Sequence, residues 1–470
     1  MFLSRIFSRL GQSIVGLRVP ETSEEFSEET SEEFSEELKL SLFDQTMLRT
    51  YIRTIACFPF PDASRASEAN EAIKAGLQAT ISQYPFLAGK ICLGPSGKDD
   101  GKLSLSYPRK AQGVSEAGIF TLKDFADPSK PESVIHVQAN YIDGGLLLSV
   151  YLHHSVGDGV SIGTLIRCLA ENVRLRGEFK SKAAAADPSL SRRELDQRAF
   201  PPGTPHLPTP EFRIVDIRES SIVPSNLPHA QVQVSGRLFV LTAAMRAELK
   251  AKVMDHIKNS DDYRPGWWVS TMDCVAALIW ILVTRARAPH LDHTVETKIG
   301  MTMDVRKKLN LPSDYFGNAV LFTFTSLPVK HLVDEARPFY ALVAGAASKI
   351  RLAYLHFTET AILHRLTMMA GLKDVRNISC AIDFNHGHDV FWNSWGDFGC
   401  DAEFNIPGAA SDTPQWIRKP WSRQDGGNML MPKKPGKDVD WEVLVQLEMP
   451  DMERLCSPGG LAEWAARIIE

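Results

Sequence analysis

The 470-residue chain has no run of about 18 apolar residues, so nothing in it reads as a membrane span. Its seven cysteines stand singly and are odd in number, which argues against a disulfide framework and fits a reducing compartment, with the cytoplasm as the expected location. There is no excess of basic charge: the net charge of −5 gives no electrostatic case for binding nucleic acid or an anionic membrane surface. The chain contains no P-loop and no Gly-rich dinucleotide fingerprint. His386-Gly387-His388-Asp389 offers two imidazoles and a carboxylate, yet no further His or Cys stands at a familiar zinc spacing, so no metal is expected. Hydrophobic content of 44% and charged content of 23% are those of an ordinary globular protein, long enough for two domains.

The first 39 residues differ from the rest. Met1 to Pro20 carries Arg5, Arg9 and Arg18 without an acid, the profile of a mitochondrial leader as an alternative location. Thr22 to Glu29 is then repeated letter for letter as Thr30 to Glu37, and nine glutamates fall between Glu21 and Glu37. Such a segment repels itself and has little to bury, so residues 1–39 are expected to be a disordered extension. Residues 40–181 alternate helix and strand patterns: a helix over Ala66 to Tyr84, strands over Leu103 to Tyr107 and Val134 to Ala139, and the apolar run Gly144 to Leu152. Residues 182–235 hold eight prolines and read as a crossover linker. A second α/β unit, 236–470, opens with Gly236 to Leu241 and has Thr242 as the N-cap of a helix.

The most telling residues are His153-His154-Ser155-Val156-Gly157-Asp158-Gly159. They fall between an apolar strand and a helical pattern, where rigid elements can hold an imidazole against a substrate, and histidine suits proton transfer near neutral pH. The overlapping Gly159-Val160-Ser161-Ile162-Gly163 is a literal G-x-S-x-G, which keeps a serine hydrolase using Ser161 as an alternative. Its serine stands too far past the strand for a nucleophile elbow.

His154-x-x-x-Asp158-Gly159, Leu40-Ser41-Leu42-Phe43-Asp44-Gln45, Ser270-Thr271-Met272-Asp273 with its following apolar helix, Asp304-Val305-Arg306 and Tyr315-Phe316-Gly317-Asn318 together resemble the BAHD-type acyl-CoA transferases, in particular the fungal branch that includes trichothecene 3-O-acetyltransferase. The resemblance runs from about residue 40 to residue 455. It implies two chloramphenicol-acetyltransferase-like α/β lobes, each a mixed sheet with flanking helices, joined by the long crossover with the site between them. It implies acyl transfer from coenzyme A, acetyl above all, to the hydroxyl of a secondary metabolite, with acyl-CoA a co-substrate and no permanently bound cofactor. The partners expected are therefore acyl-CoA and a small alcohol, with the protein a monomer.

The same resemblance assigns roles. His154 is the general base and Asp158 its structural support, turned away from the pocket. Trp395, in Asn393-Ser394-Trp395, supplies an oxyanion donor. Gly157 and Gly159 let the backbone pass close to substrate, and Ser270, Thr271, Asn393 and Ser394 contact acyl-CoA or substrate. The second family signature is degenerate: it reads either as Asp397-Phe398-Gly399-Cys400-Asp401 or as Asp401-Ala402-Glu403-Phe404-Asn405. The later frame is favoured, which makes Glu403, with Asp397 as the alternative, the ion-pair partner of Arg306. A condensation-type domain of the same superfamily and a non-catalytic binding protein of this fold remain as further alternatives.

Overall fold

The computed structural model describes residues 14–18, 36–94, 100–108, 115–117, 131–178, 188–201, 203–205, 207–215, 233–261, 263–312, 314–420 and 424–470. Most of the acidic repeat, residues 22–35, lies outside them. Two lobes stand out, each built on a sheet. The first sheet has six strands in the order Trp416–Arg418, Tyr51–Pro59, Gly145–His153, Ile135–Ile142, Ile14–Arg18, Ser115–Ala117, antiparallel at every described pairing. Its central strand is the apolar run read from the sequence, now 145–153. Gly144 takes φ +75°, the left-handed conformation that closes the two-residue connection from Ile142 to Gly145. Helices Ala66–Gln83 and Gly159–Arg174 pack against one another, and a Cβ on Gly76 would sit 2.6 Å from the backbone nitrogen of Val173.

The second sheet is mixed and has seven strands: Val320–Pro328, Glu296–Asp304, Val390–Ser394, Gly427–Leu430, Trp441–Glu448, Val234–Leu241, Arg467–Ile469. Thr242 caps the helix Ala243–Lys258 by accepting from the Met245 N–H. The helix Thr271–Arg287 is apolar on nearly every face and correspondingly buried in this lobe's core.

Three expectations are corrected. Ile14–Arg18 is a strand paired on both sides, so this part of the extension lies inside the first sheet. Glu36–Leu38 is likewise a strand, paired with Leu103–Tyr107, and Leu38 is core. The linker is not wholly outside the core: its prolines bracket a helix, Pro188–Asp196, whose Arg192 and Leu195 are fully buried. Polar density in the sequence hid those two inward positions. The lobes also exchange chain. After Val390–Ser394 the polypeptide leaves the second sheet, adds Trp416–Arg418 to the edge of the first, and returns as Gly427–Leu430. Along the way Trp395, Phe398, Phe404, Ile406 and Ile417 join the first lobe's core. Among the described residues no helix is long and apolar enough to cross a membrane.

Candidate active site

The strand Gly145–His153 ends where its partner Tyr51–Pro59 begins, with His153 facing Tyr51 across the ladder. One residue on, the His154 N–H donates to the carbonyl of Thr50 (2.7 Å), which pins the turn as it leaves the sheet. Asp158 then caps the helix Gly159–Arg174, its Oδ1 accepting from the N–H groups of Val160 and Ser161. A carboxylate in that position serves two elements at once. Arg306, just past the strand Glu296–Asp304, grips it with both nitrogens (2.8 and 2.9 Å), and the Ala319 N–H donates to Oδ2 at 2.9 Å. Asp158 is thus turned from the imidazole into a buried clamp between the lobes.

That clamp corrects the expected pairing of Arg306. Neither Glu403 nor Asp397 is its partner, and both are exposed. Ala402 and Phe404 are buried on either side of Glu403, with the Phe404 ring edge-on to Phe58, so Glu403 points outward. Asp397 instead offers its carbonyl to Arg167 at 2.7 Å.

Behind His154 lies a second network, whose residues the sequence reading gave no role. Asn318 donates through Nδ2 to the carbonyl of His154 (2.7 Å) and to Oδ1 of Asp44 (2.8 Å), while its own N–H also reaches that oxygen. Arg192, from the crossover helix, donates to Asp44 Oδ2 at 2.7 Å and to the carbonyl of Val156 at 2.8 Å. Asp44 and Asn318 stand in the very segments that carry the family resemblance, which was the available signal.

The Nδ1 of His154 is buried without a hydrogen-bond partner among the described residues. Burial lowers the ring's proton affinity below the ordinary histidine value; its own backbone carbonyl, Asp158, Asn318 and Asp44 oppose this in part. The imidazole is therefore neutral near pH 7 and able to accept a proton. His153 is a core residue: burial first, then His154, Arg49 and His136, brings it down to about 3.

His154 opens onto a cavity of ≈590 Å³ between the lobes, also lined by Gly159, Asn393, Ser394, Trp395 and Phe398. Trp395 reaches it independently of the Arg306 clamp; its backbone N–H donates to the carbonyl of Leu430 (2.9 Å) and its ring stacks on Phe398 with centroids 4.9 Å apart. Asn393 Oδ1 accepts from Thr302 (2.8 Å) and from the Ser394 N–H (2.7 Å).

Other expected contacts fall elsewhere. Gly157 does not line the cavity: a Cβ there would lie 2.6 Å from Cβ of Ser161, so its smallness serves packing. A Cβ on Gly159 would meet the Phe398 ring at 2.4 Å. Ser270 and Thr271 are also outside the cavity lining, and the Ser270 hydroxyl is engaged in a capping box with Asp273. Ser161 is fully buried and tied to Gly317 (3.0 Å to its carbonyl, 3.1 Å from its N–H), so it is a structural hydroxyl and no hydrolase nucleophile. Around the His386 loop, Asp383 is paired with Arg213, Asp425 with Arg287, and Asp389 accepts from two backbone N–H groups.

A model of the Transferase family matches residues 22–106 and 115–458. The O-acetyltransferase ptmV of Penicillium ochrochloron is 24% identical, over 91% of this chain and 96% of its own length. The trichothecene 3-O-acetyltransferase TRI101 of Fusarium sporotrichioides is also 24% identical, over 87% and 92%. The fold resembles that of the F. graminearum TRI101 crystal structure complexed with coenzyme A and deoxynivalenol, at TM-score 0.73 and 20% identity, over 92% of this chain and 98% of that one. Vinorine synthase follows at TM-score 0.60 and 16% identity, over 96% and 98%.

Proposed function

The chain belongs to the Transferase family, the BAHD-type acyl-CoA-dependent O-acyltransferases, and on that footing we propose that His154 is the general base that moves an acyl group, acetyl foremost, from coenzyme A to a hydroxyl of a secondary metabolite. The observation that carries this reading is the meeting of a neutral imidazole and an indole in one inter-lobe cavity, with the adjacent carboxylate withdrawn into a structural clamp.

With Nδ1 enclosed, Nε2 is the nitrogen left to work on the cavity side. It accepts the hydroxyl proton as the oxygen attacks the thioester carbon, and the tetrahedral oxyanion forms beside Trp395. Collapse re-forms the carbonyl and breaks the carbon–sulfur bond. The imidazolium returns its proton to the departing sulfur, leaving ester and free coenzyme A. General-base assistance supplies roughly 10²–10⁴-fold, and an oxyanion donor roughly 10²–10³-fold. The names of the fungal relatives, O-acetyltransferases, support an acetyl donor and an alcohol acceptor.

The test is incubation with acetyl-CoA and a panel of fungal alcohols, with detection of released thiol. His154→Ala should abolish acceptor-dependent thiol release while leaving the fold intact, and Trp395→Phe should lower turnover by about 10²-fold or more. Thiol release by His154→Ala at the wild-type rate would remove His154 from the mechanism.

A further inference from the structure

The cavity holds a second chemical feature that acyl transfer does not use. Both Arg53 and Lys419 line it. The strand Trp416–Arg418 pairs with the edge of Tyr51–Pro59 so that Arg418 faces Ile55, and Lys419 therefore continues to the level of Thr54, beside Arg53. Arg53 lies two residues along its strand from Tyr51, which faces His153. At the usual strand rise that is about 7 Å from the level of the His154 turn.

Lys419 has no carboxylate partner among the described residues; its ammonium donates to Oε1 of Gln424, at 3.5 Å. The carboxylates lining the cavity are used elsewhere or stand exposed: Asp158 and Asp304 are both bound by Arg306, and Asp397 is exposed. Burial, then the neighbouring Arg53 guanidinium, brings the Lys419 ammonium down to about 8, so it is still mostly protonated at neutral pH. The Lys419 ammonium, held in the cavity wall with an amide oxygen at the limit of contact as its polar partner among the described residues, is stabilised by an anion that arrives there.

We propose that Lys419, with Arg53 beside it, is the recognition point for an anionic group, a carboxylate or a phosphate, carried by the acceptor. This rests on the acyl-transfer reading for the position of the acyl carbon near His154. The phosphates of coenzyme A stand at the far end of the pantetheine arm from its thioester, whereas Lys419 follows a strand that flanks Tyr51–Pro59, at the level of Thr54, three residues from Tyr51, which faces His153. An acid group elsewhere on the acceptor fits that separation. The site thus favours hydroxy acids or phosphorylated alcohols over neutral alcohols of the same size.

The experiment measures binding without turnover. Citrate and inorganic phosphate are titrated into wild type, Lys419→Met and Lys419→Arg at constant ionic strength, with melting temperature and calorimetric heat as readouts, and coenzyme A is titrated in parallel. Saturable citrate or phosphate binding should weaken about ten-fold or more in Lys419→Met, the loss of one charge-assisted hydrogen bond. Lys419→Arg should restore it, and coenzyme A should bind all three proteins alike. Equal anion binding by wild type and Lys419→Met, or no saturable binding by wild type, overturns the proposal. So does a selective loss of coenzyme A affinity in Lys419→Met, which would give the cation to the co-substrate. His154→Ala should keep anion binding, so failure of the acyl-transfer reading shows up separately, as thiol release that is absent from wild type or unchanged in His154→Ala.

Discussion

At His154 burial is the largest influence on the ring, opposed in part by the residue's own backbone carbonyl and by Asp158, Asn318 and Asp44. Because its proton affinity is held below the ordinary value, the neutral form, which the proposed base requires, persists further into acid than free imidazole would allow. Acyl transfer should fall off only below the usual histidine range of about 6.5, and a rate profile that already declines above that range would contradict this assignment. His153 gives a separate signal in stability. It is neutral in the folded chain down to about 3, while the unfolded chain takes up a proton near the ordinary value. Its contribution is therefore complete above about pH 6.5 and is lost as pH falls, by about 1.4 kcal/mol per unit until the folded value is reached. His153→Gln should flatten the acid limb of melting temperature against pH between about 4 and 6 relative to wild type. Asp158→Asn removes the charge that Arg306 needs, and should cost about 3–5 kcal/mol of stability in a denaturant titration. Wild-type melting with lost turnover alone would mean that Asp158 orients the ring directly. The H-x-x-x-D spacing was legible because both residues belong to one turn. The partner of Arg306 was not: it lies 148 residues away in sequence, and only the docking of the lobes brings the two together.

Among the elements, those with strong periodicity or caps were readable. The helix from Ala66, the strand over Leu103–Tyr107 and the Thr242 cap stand where the residues placed them. The helix Pro188–Asp196 was hidden in a stretch dominated by prolines, and its mean hydropathy gives no sign that two positions face inward. Yet it carries one of the most consequential side chains. Arg192 neutralises Asp44, and Asp44 holds Asn318 against the carbonyl of His154. Arg192→Met should leave Asp44 charged and uncompensated, at a cost of about 3–5 kcal/mol. Asp44→Asn with Arg192→Met should be milder than the two single costs added, because neither change then strands a charge. Additive losses, measured by chemical denaturation, would show that the pair is not coupled.

On the scale of the whole molecule, the division at residue 235 describes the sequence better than the core. The segment after Trp395 supplies Phe398, Phe404, Ile406 and Ile417 to the cluster that also contains Ile52, Leu148 and Ile166. Strand Trp416–Arg418 covers the edge of Tyr51–Pro59. A three-residue strand embedded in irregular sequence has no periodicity to announce it, so the exchange could not be read in advance. Its consequence is interdependence: the first lobe alone lacks part of its core and presents an open, apolar sheet edge. Residues 1–235 produced by themselves should therefore be aggregation-prone or molten, showing dye-accessible apolar surface and no cooperative transition. Co-production with residues 236–470 should restore a soluble complex, and the intact chain should unfold in one calorimetric transition. A fragment 1–235 that melts sharply on its own would show that the crossing segment is an accessory to the first lobe and not a part of it.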